Sequence, residues 1–262
     1  MGKNNIWVVG DIHGHFNQWM RLLSKMIQNG YNPEEDILIW LGDMVDGGED
    51  TKSVISWAIQ DKEKHPHHQF LLGNHEHLLL DALVYNGRIY DSYDLWWGQG
   101  GRETYQSYLP SELNAYEKAI SQVKDHIPVE HLHFLMKLSL YHETDNYFFI
   151  HAGIPSKISL EDFKKKLDEH NEEAIYAGIW IREEFLMNTK KDWGKKIIFG
   201  HTIFPYGPFL GTNPETGEKT RSYGYPHIAP NKIGVDGMAH DMGNLIAIEL
   251  PEERFILESS QI

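Results

Sequence analysis

The chain predicts an α/β protein in which two mixed β-sheets pack as a sandwich flanked by helices. Three features of the sequence lead there. Short apolar runs rich in β-branched residues recur along its 262 residues, and runs of that length stopped by glycine suit strands buried on both faces. Amphipathic helical patterns separate the early runs, which is the strand–helix–strand signature of a parallel sheet. A second set of runs closes the chain and reads as mostly antiparallel strands.

Taken in order, "NIWVVGDIHG" is a strand that ends in Asp11 and His13. Residues 16 to 29 place Phe16, Leu23 and Ile27 at helical spacing. "DILIWLGDMVDGG" is a second strand, ending in Gly42, Asp43 and Asp46, and residues 51 to 63 are again helical in pattern. "HQFLLGNHE" ends in Asn74 and His75 and leads into a helix over residues 76 to 86. The stretch from roughly 87 to 145, with "DLWWGQGGRETYQSYLP", reads as a helical insertion covering the site within one domain spanning residues 1–262. "NYFFIHAG" ends in His151 and "KKIIFGHT" in His201. From about residue 196 the runs "KKIIFGHT", "HIAPNKIGVD", "NLIAIEL" and "RFILES" suggest mostly antiparallel strands. Ligands of such folds collect beyond the carboxyl ends of the parallel strands, where every one of these polar clusters lies.

Composition narrows the function. Hydrophobic residues make up 41% of the chain, and 8 Trp and 13 Tyr argue against disorder. With no Cys, disulfides and thiolate metal sites are excluded, which suits a reducing cytoplasm. The first residues enter a strand without a signal-peptide hydrophobic region, and a Met-Gly start meets Ile6 where myristoylation wants Ser or Thr. No apolar run approaches the ~18 residues of a membrane span. With 24 basic against 38 acidic residues the formal net charge is −14, a field that repels nucleic acid. Neither nucleic acid nor membrane is expected as a partner. A phosphate-bearing substrate would need local positive charge, which bound metal ions supply.

Pooled, Asp11, His13, Asp43, Asn74, His151 and His201 offer three imidazoles, two carboxylates and one amide oxygen. That nitrogen and oxygen mixture suits Mn²⁺, with Fe or Zn²⁺ as alternatives. Six ligands exceed the needs of one catalytic metal, whereas two metals about 3.5–4 Å apart that share a carboxylate would use them all. Each residue alone has a bland reading: Asp11 and Asn74 can cap the helices that follow them. Their joint occurrence at successive strand ends is what points to a dinuclear site.

At these residues the chain resembles the calcineurin-like metallophosphoesterases. "GDIHG", "GDMVDGG", "GNHE", "HAG" and "GHT" occur in the order typical of that superfamily, and the resemblance runs from about Ile6 to Leu250. It is most similar to the bacterial and phage branch of the phosphoprotein phosphatase (PPP) family. "GIWIREEF" resembles that branch's Trp-x-Arg motif, "GGRETYQSY" its Gly-Gly segment, and "VDGMAHDMGNLIAIEL" its closing strands. The resemblance implies the metallophosphoesterase fold and a dinuclear phosphoesterase. Asp11, His13 and Asp43 would hold the first metal, Asp43 would bridge, and Asn74, His151 and His201 would complete the second. His75, paired with Asp46, would stay off the metals as general acid, and Arg182 would clamp the phosphate. A hydroxide bridging the metals would attack phosphorus in line. The implied substrates are phosphoserine or phosphothreonine in proteins, or else symmetrical dinucleoside tetraphosphates such as diadenosine tetraphosphate.

One position departs from the pattern. Where the family reads "GD-x-VDRG", this chain has "GDMVDGGED", with Gly47 in place of a phosphate-binding Arg. Arg102 in "GGRETY" is the candidate replacement. Gly47 also supports a third class, a non-catalytic metal-binding regulatory protein, although an off-metal His75–Asp46 pair has no purpose there. Trp96, Trp97, Tyr105 and Tyr108 are expected to pack the insertion onto the core, with stacking on a nucleobase as the alternative. "DKEKHPHH" is expected to be an exposed connector and His240 a loop residue. "DMVDGGED" lacks the alternation and terminal Glu of an EF-hand loop.

Overall fold

The computed structural model describes residues 5–85, 93–109, 125–239 and 243–259. Two five-stranded sheets occupy its centre. In the first, β1 (Ile6–Val9), β2 (Ile37–Trp40) and β3 (Gln69–Phe70) run parallel, and β11 (Asn244–Leu250) and β12 (Arg254–Ser259) extend the β1 edge antiparallel. In the second, β5 (Tyr147–Ile150), β6 (Lys196–Phe199) and β10 (Lys232–Gly234) run parallel, with β4 (Tyr141–Glu143) and β9 (His227–Ala229) antiparallel at the two edges. A small hairpin, β7 (Gly211–Thr212) with β8 (Lys219–Thr220), lies outside both.

The packing follows from the period of two along each strand. Val8, Ile39, Phe149, Ile198 and Ile233 point into the space between the sheets and form one core with Ile246 and Ile248. Their neighbours Trp7, Val9, Leu38 and Trp40 point outward. There they meet helices α1 (Phe16–Gln28), α2 (Thr51–Lys64) and α3 (Asn74–Leu83) through Trp19, Val54 and Leu78. Phe148, Ile150, Ile197 and Phe199 do the same on the far side, against α7 (Leu160–Asp168), α8 (Glu172–Trp180) and α9 (Glu183–Met187). Pairing aligns Val8 with Ile39 and Phe149 with Ile198. A one-residue slip would exchange the two apolar sets, so burial on both faces fixes the register. The result is the expected sandwich of mixed sheets with helices outside.

Several details differ from the sequence reading. β6 pairs parallel with both β5 and β10, an exception to the antiparallel expectation, because its crossovers carry helices and a long loop and no tight turn. The third helix begins at Asn74, so Asn74 and His75 sit in its first turn. Within the expected insertion, α4 (Tyr93–Trp96), α5 (Arg102–Tyr108) and α6 (Val129–Leu135) are helical, but Tyr141–Glu143 is an edge strand of the second sheet. Trp96, Tyr105 and Tyr108 are buried and pack the insertion onto the first core.

"DKEKHPHH" is not a fully exposed connector. His65 and His68 are buried, and His68 bonds Asp61 through Nδ1 at 2.7 Å and the Asp36 carbonyl through Nε2 at 3.2 Å. His240 lies outside the described residues. No described helix is long and apolar enough to cross a membrane.

The inter-sheet core makes one test direct. Phe149→Ala should lower stability by about 3–5 kcal/mol, the range for deleting a buried ring, read as a lower urea midpoint at unchanged slope.

Candidate metal centre

All five polar clusters emerge at the carboxyl ends of the parallel strands, where the sheets converge. The convergence is tight at Gly10, where a Cβ would lie 2.1 Å from the Val235 carbonyl at the end of β10. The loops are held in an uncommon conformation: His13 and Asp43 each have φ 47°, Asp46 has 70° and His201 has 61°. For residues other than glycine this left-handed region costs about 1–3 kcal/mol each. A buried carboxylate offsets part of that cost. Glu76 accepts hydrogen bonds from the amides of Gly73 (2.9 Å), Asp43 (2.8 Å), Met44 (2.6 Å) and Val45 (3.1 Å). Burial, reinforced by the Asp43 charge, pushes its carboxyl up to about 7.

Three imidazoles are oriented by backbone carbonyls. His13 Nδ1 donates to Val45 (3.1 Å), His151 Nδ1 to Leu41 (2.9 Å) and His201 Nε2 to Trp180 (3.2 Å). Because a carbonyl only accepts, each bond directs the second ring nitrogen as a lone-pair donor, the arrangement metal-binding histidines use. His13 Nε2 lies 3.7 Å from Asp43 Oδ2, and His151 Nε2 lies 3.4 Å from the same oxygen and 2.8 Å from Asn74 Oδ1. Two groups of donor atoms result, each within 4.8 Å internally: His13, Asp43 and His75, and Asp43, His151 and His201. Asp43 belongs to both. Asp11 stands outside both groups, next to His201, whose amide donates to its Oδ2 at 2.8 Å.

The electrostatics fit divalent cations at this place. Asp11 is buried, and its Oδ1 has no hydrogen-bond partner among the described residues. Burial raises its pKa well above the carboxylate range, and the charges of Asp236 and Asp43 add to the effect. Burial would raise Asp43 as well, but the imidazoles of His151, His75 and His13 outweigh it and hold that carboxyl well below its ordinary value. Burial keeps His201 well below its usual range, so its ring is neutral and able to donate a lone pair. Packed carboxylates with an unbonded oxygen, beside the neutral imidazole of His201, are donor chemistry that a divalent ion satisfies.

Beside this centre His75 Nδ1 bonds Asp46 Oδ2 at 2.9 Å. Asp46 is fully buried, and its other oxygen accepts from Trp96 Nε1 (3.0 Å) and Thr104 Oγ1 (2.7 Å). Burial raises the Asp46 pKa, and its bonds to His75, Thr104 and Trp96 oppose the rise. Burial opposes charging of His75, yet the carboxylates of Asp43 and Asp46 win and move its imidazole up to about 9.

A cavity of about 540 Å³ opens over these groups. Arg182, which precedes α9, lines it and donates from Nη2 to the His201 carbonyl at 3.4 Å. On the opposite wall Gly47 donates from its amide to the Gly100 carbonyl at 3.2 Å. A Cβ on Gly100 would sit 2.6 Å from that amide, so the insertion backbone passes directly beside Gly47. Arg102 is not among the lining residues; its guanidinium bonds the carboxylate of Glu103, which is. The two acids after Gly48 are engaged locally, Glu49 with His15 Nδ1 at 2.9 Å and Asp50 capping α2 through the Ser53 amide at 3.0 Å.

Sequence reasoning missed four participants: Glu76, Thr104, Trp96 and Asp236. Asp236 is buried at the cavity wall, and burial, with the Asp43 charge adding, moves its carboxyl up to about 6. Glu76 stood inside the quoted "GNHE", but nothing local indicates that its carboxylate binds amides more than thirty residues earlier.

Comparison with known proteins assigns the class. Residues 5–230 match the family model of the calcineurin-like phosphoesterases. The chain is similar to serine/threonine-protein phosphatase 1 of Salmonella typhimurium (strain LT2), with 28% identity over 204 residues, 76% of this chain and 78% of that one. It is also similar to the symmetrical bis(5'-nucleosyl)-tetraphosphatase of Haemophilus ducreyi, with 26% identity over 148 residues, 56% of this chain and 44% of that enzyme. Among solved structures, a protein serine/threonine phosphatase from Saccharomyces cerevisiae with similarity to human phosphatase PP5 shares the fold. Its TM-score is 0.55 at 19% identity, over 99% of this chain and 80% of that one. The chain therefore belongs to the calcineurin-like phosphoesterases, in the branch of the phosphoprotein phosphatases. It is a metal-dependent hydrolase of phosphate esters.

Two measurements test the arrangement around Asp46. Thr104→Val removes the hydroxyl that Asp46 bonds twice, and should cost about 1–3 kcal/mol of stability while leaving bound metal unchanged by elemental analysis. Because the His75 pKa is raised from 6.5 to about 9, its imidazolium stabilises the fold fully below pH 6.5 and that contribution disappears as pH rises through about 9. In chelator-treated protein, His75→Gln should abolish this alkaline loss, measured by urea unfolding across the same window.

Proposed function

We propose that the chain is a serine/threonine protein phosphatase. In this reading Asp11, His13 and Asp43 hold one divalent cation, and Asn74, His151 and His201 hold a second that shares Asp43. The observation that carries the reading is the membership of Asp43 in both donor groups, on the floor of a cavity that also presents Arg182 and His75. The mixed nitrogen and oxygen donors favour Mn²⁺. When bound, the cations would supply Lewis acidity toward phosphoryl oxygens and lower the pKa of a coordinated water toward ~7.

The remaining work falls to side chains. Arg182 offers a planar fork to two phosphoryl oxygens and stabilises the charge that spreads over them. His75 carries the proton for the departing serine or threonine oxygen. Asp46, fixed by Trp96 and Thr104, keeps that imidazole charged and aimed, which supports general acid catalysis. With Gly47 at the second motif, one charge-assisted contact of roughly 1.5–3 kcal/mol is missing. Arg102 is the nearby candidate to replace it if its guanidinium exchanges Glu103 for phosphate.

A protein substrate is favoured by the cavity wall. Among the described residues lining it there is no Trp, Tyr or Phe to stack on a nucleobase. The second reading, hydrolysis of symmetrical dinucleoside tetraphosphates, has the likeness to the Haemophilus ducreyi enzyme in its favour. Mn²⁺-loaded protein offered a phosphoserine peptide and diadenosine tetraphosphate separates the two. Release of nucleoside diphosphate without action on the peptide would overturn the first reading.

Role assignments are testable individually. His75→Ala should keep both metals and lower turnover by about 10²–10⁴, the range for loss of a general acid; loss of metal would make it a ligand. Asp43→Ala should deplete both metal positions, and two tightly held ions in that variant would refute the shared carboxylate.

A further inference from the structure

Lys232 is fully buried at the start of β10, and no carboxylate pairs with it among the described residues. Its ammonium donates instead to the carbonyls of Phe185, Leu186 (3.5 Å) and Asn188 (3.0 Å), which close the C-terminal end of α9. It also lies 4.1 Å from the centroid of the Phe185 ring. Burial lowers its pKa to about 8, so it remains charged at neutral pH.

Burying a lysine without an acid is costly, and an apolar side chain would fill this place in the core more cheaply. The compensation lies in what it holds. α9 has only 5 residues, too few to persist without tertiary support, and at its C-terminal end the Phe185 carbonyl accepts the Asn188 amide only at 3.3 Å. A cation at that end adds a donor to the carbonyls of Phe185, Leu186 and Asn188 and complements the helix dipole. At the other end of the same helix stands Arg182, which leads into it without a side-chain cap and reaches the cavity. Phe185 is wedged against Gly153 in the loop that follows His151; a Cβ on that glycine would meet its ring at 2.5 Å. Lys232 thus clamps to β10 the short helix that carries the arginine, and β10 leads directly to Asp236 in the cavity wall.

We propose that Lys232 is a positioning residue for Arg182, setting where the guanidinium meets the substrate phosphate from the opposite end of α9. This rests on the reading of Arg182 as the phosphate clamp. The test uses full-length, Mn²⁺-loaded enzyme, hydrolysis of p-nitrophenyl phosphate and competitive inhibition by inorganic phosphate. Lys232→Met should raise KM and the phosphate inhibition constant about tenfold, with a smaller change in kcat and unchanged metal content, as expected when a binding group is misplaced. Arg182→Ala should raise the inhibition constant at least as much, and the double variant should be no worse than Arg182→Ala alone.

The proposal is overturned if Lys232→Met lowers only the unfolding midpoint and leaves KM and phosphate inhibition intact. It is also overturned if its effect adds in full to that of Arg182→Ala. No effect of Arg182→Ala on phosphate inhibition would instead remove the clamp reading itself. Should Lys232→Met fail to fold, Lys232→Gln retains an amide able to reach two of the carbonyls, and the same comparisons apply with a smaller shift.

Discussion

The carboxylate of Glu76 gathers the amides of Gly73, Asp43, Met44 and Val45 into one buried cluster, and the geometry of the site depends on it. It ties the first turn of α3 to the loop after β2, so that Asn74, His75, Asp43 and Asp46 are placed relative to each other by backbone bonds. Asp43 and Asp46 sit in left-handed conformations that an unsupported loop would abandon. Once the loop is held, the imidazoles of His13 and His151 are aimed by the carbonyls of Val45 and Leu41, within or beside the same segment. One anion on a set of amides thus orients most of the donor atoms at once.

That anchoring concentrates negative charge in a low-dielectric place. Asp11, Asp43, Asp46, Glu76 and Asp236 are all buried here, in a chain whose formal net charge is −14. Burial pushes four of the five carboxyls up, and only Asp43, surrounded by imidazoles, is held down. Divalent cations held by these residues would resolve this conflict and supply the positive charge that a phosphate needs. Arg182 and the charged His75 add positive groups at the rim. The acid–imidazole centre and the cavity above it are therefore two aspects of one charge balance.

The insertion between α3 and the second sheet contributes more than a cover. Trp96 and Thr104 saturate the far oxygen of Asp46, and the backbone at Gly100 closes onto Gly47. The wall beside Gly47 is made of Gly98, Gln99, Gly100 and Glu103.

Much of the fold and the centre was legible in the chain. Short apolar runs stopped by glycine announced the strands, and Asp11, His13, Asp43, Asn74, His151 and His201 stood out because each follows such a run at its carboxyl end. The structure brings their side chains together, with Asp11 slightly apart. What the sequence could not reveal are interactions whose partners lie far along the chain. Thr104 meets Asp46 across 58 positions and Lys232 meets the Phe185 carbonyl across 47. Neither residue type signals such a bond, because a threonine in a helix and a lysine at a strand end are ordinary surface choices until their surroundings are known. Likewise His65 and His68 looked like exposed polar residues, and only packing against Asp36 and Asp61 buried them. Local periodicity and strand-end chemistry determine the layers and the donor set, since both are properties of neighbouring residues. The orientation of each donor, the supports behind His75 and Arg182, and the wall beside Gly47 were decided by long-range convergence of backbone, which no local pattern encodes.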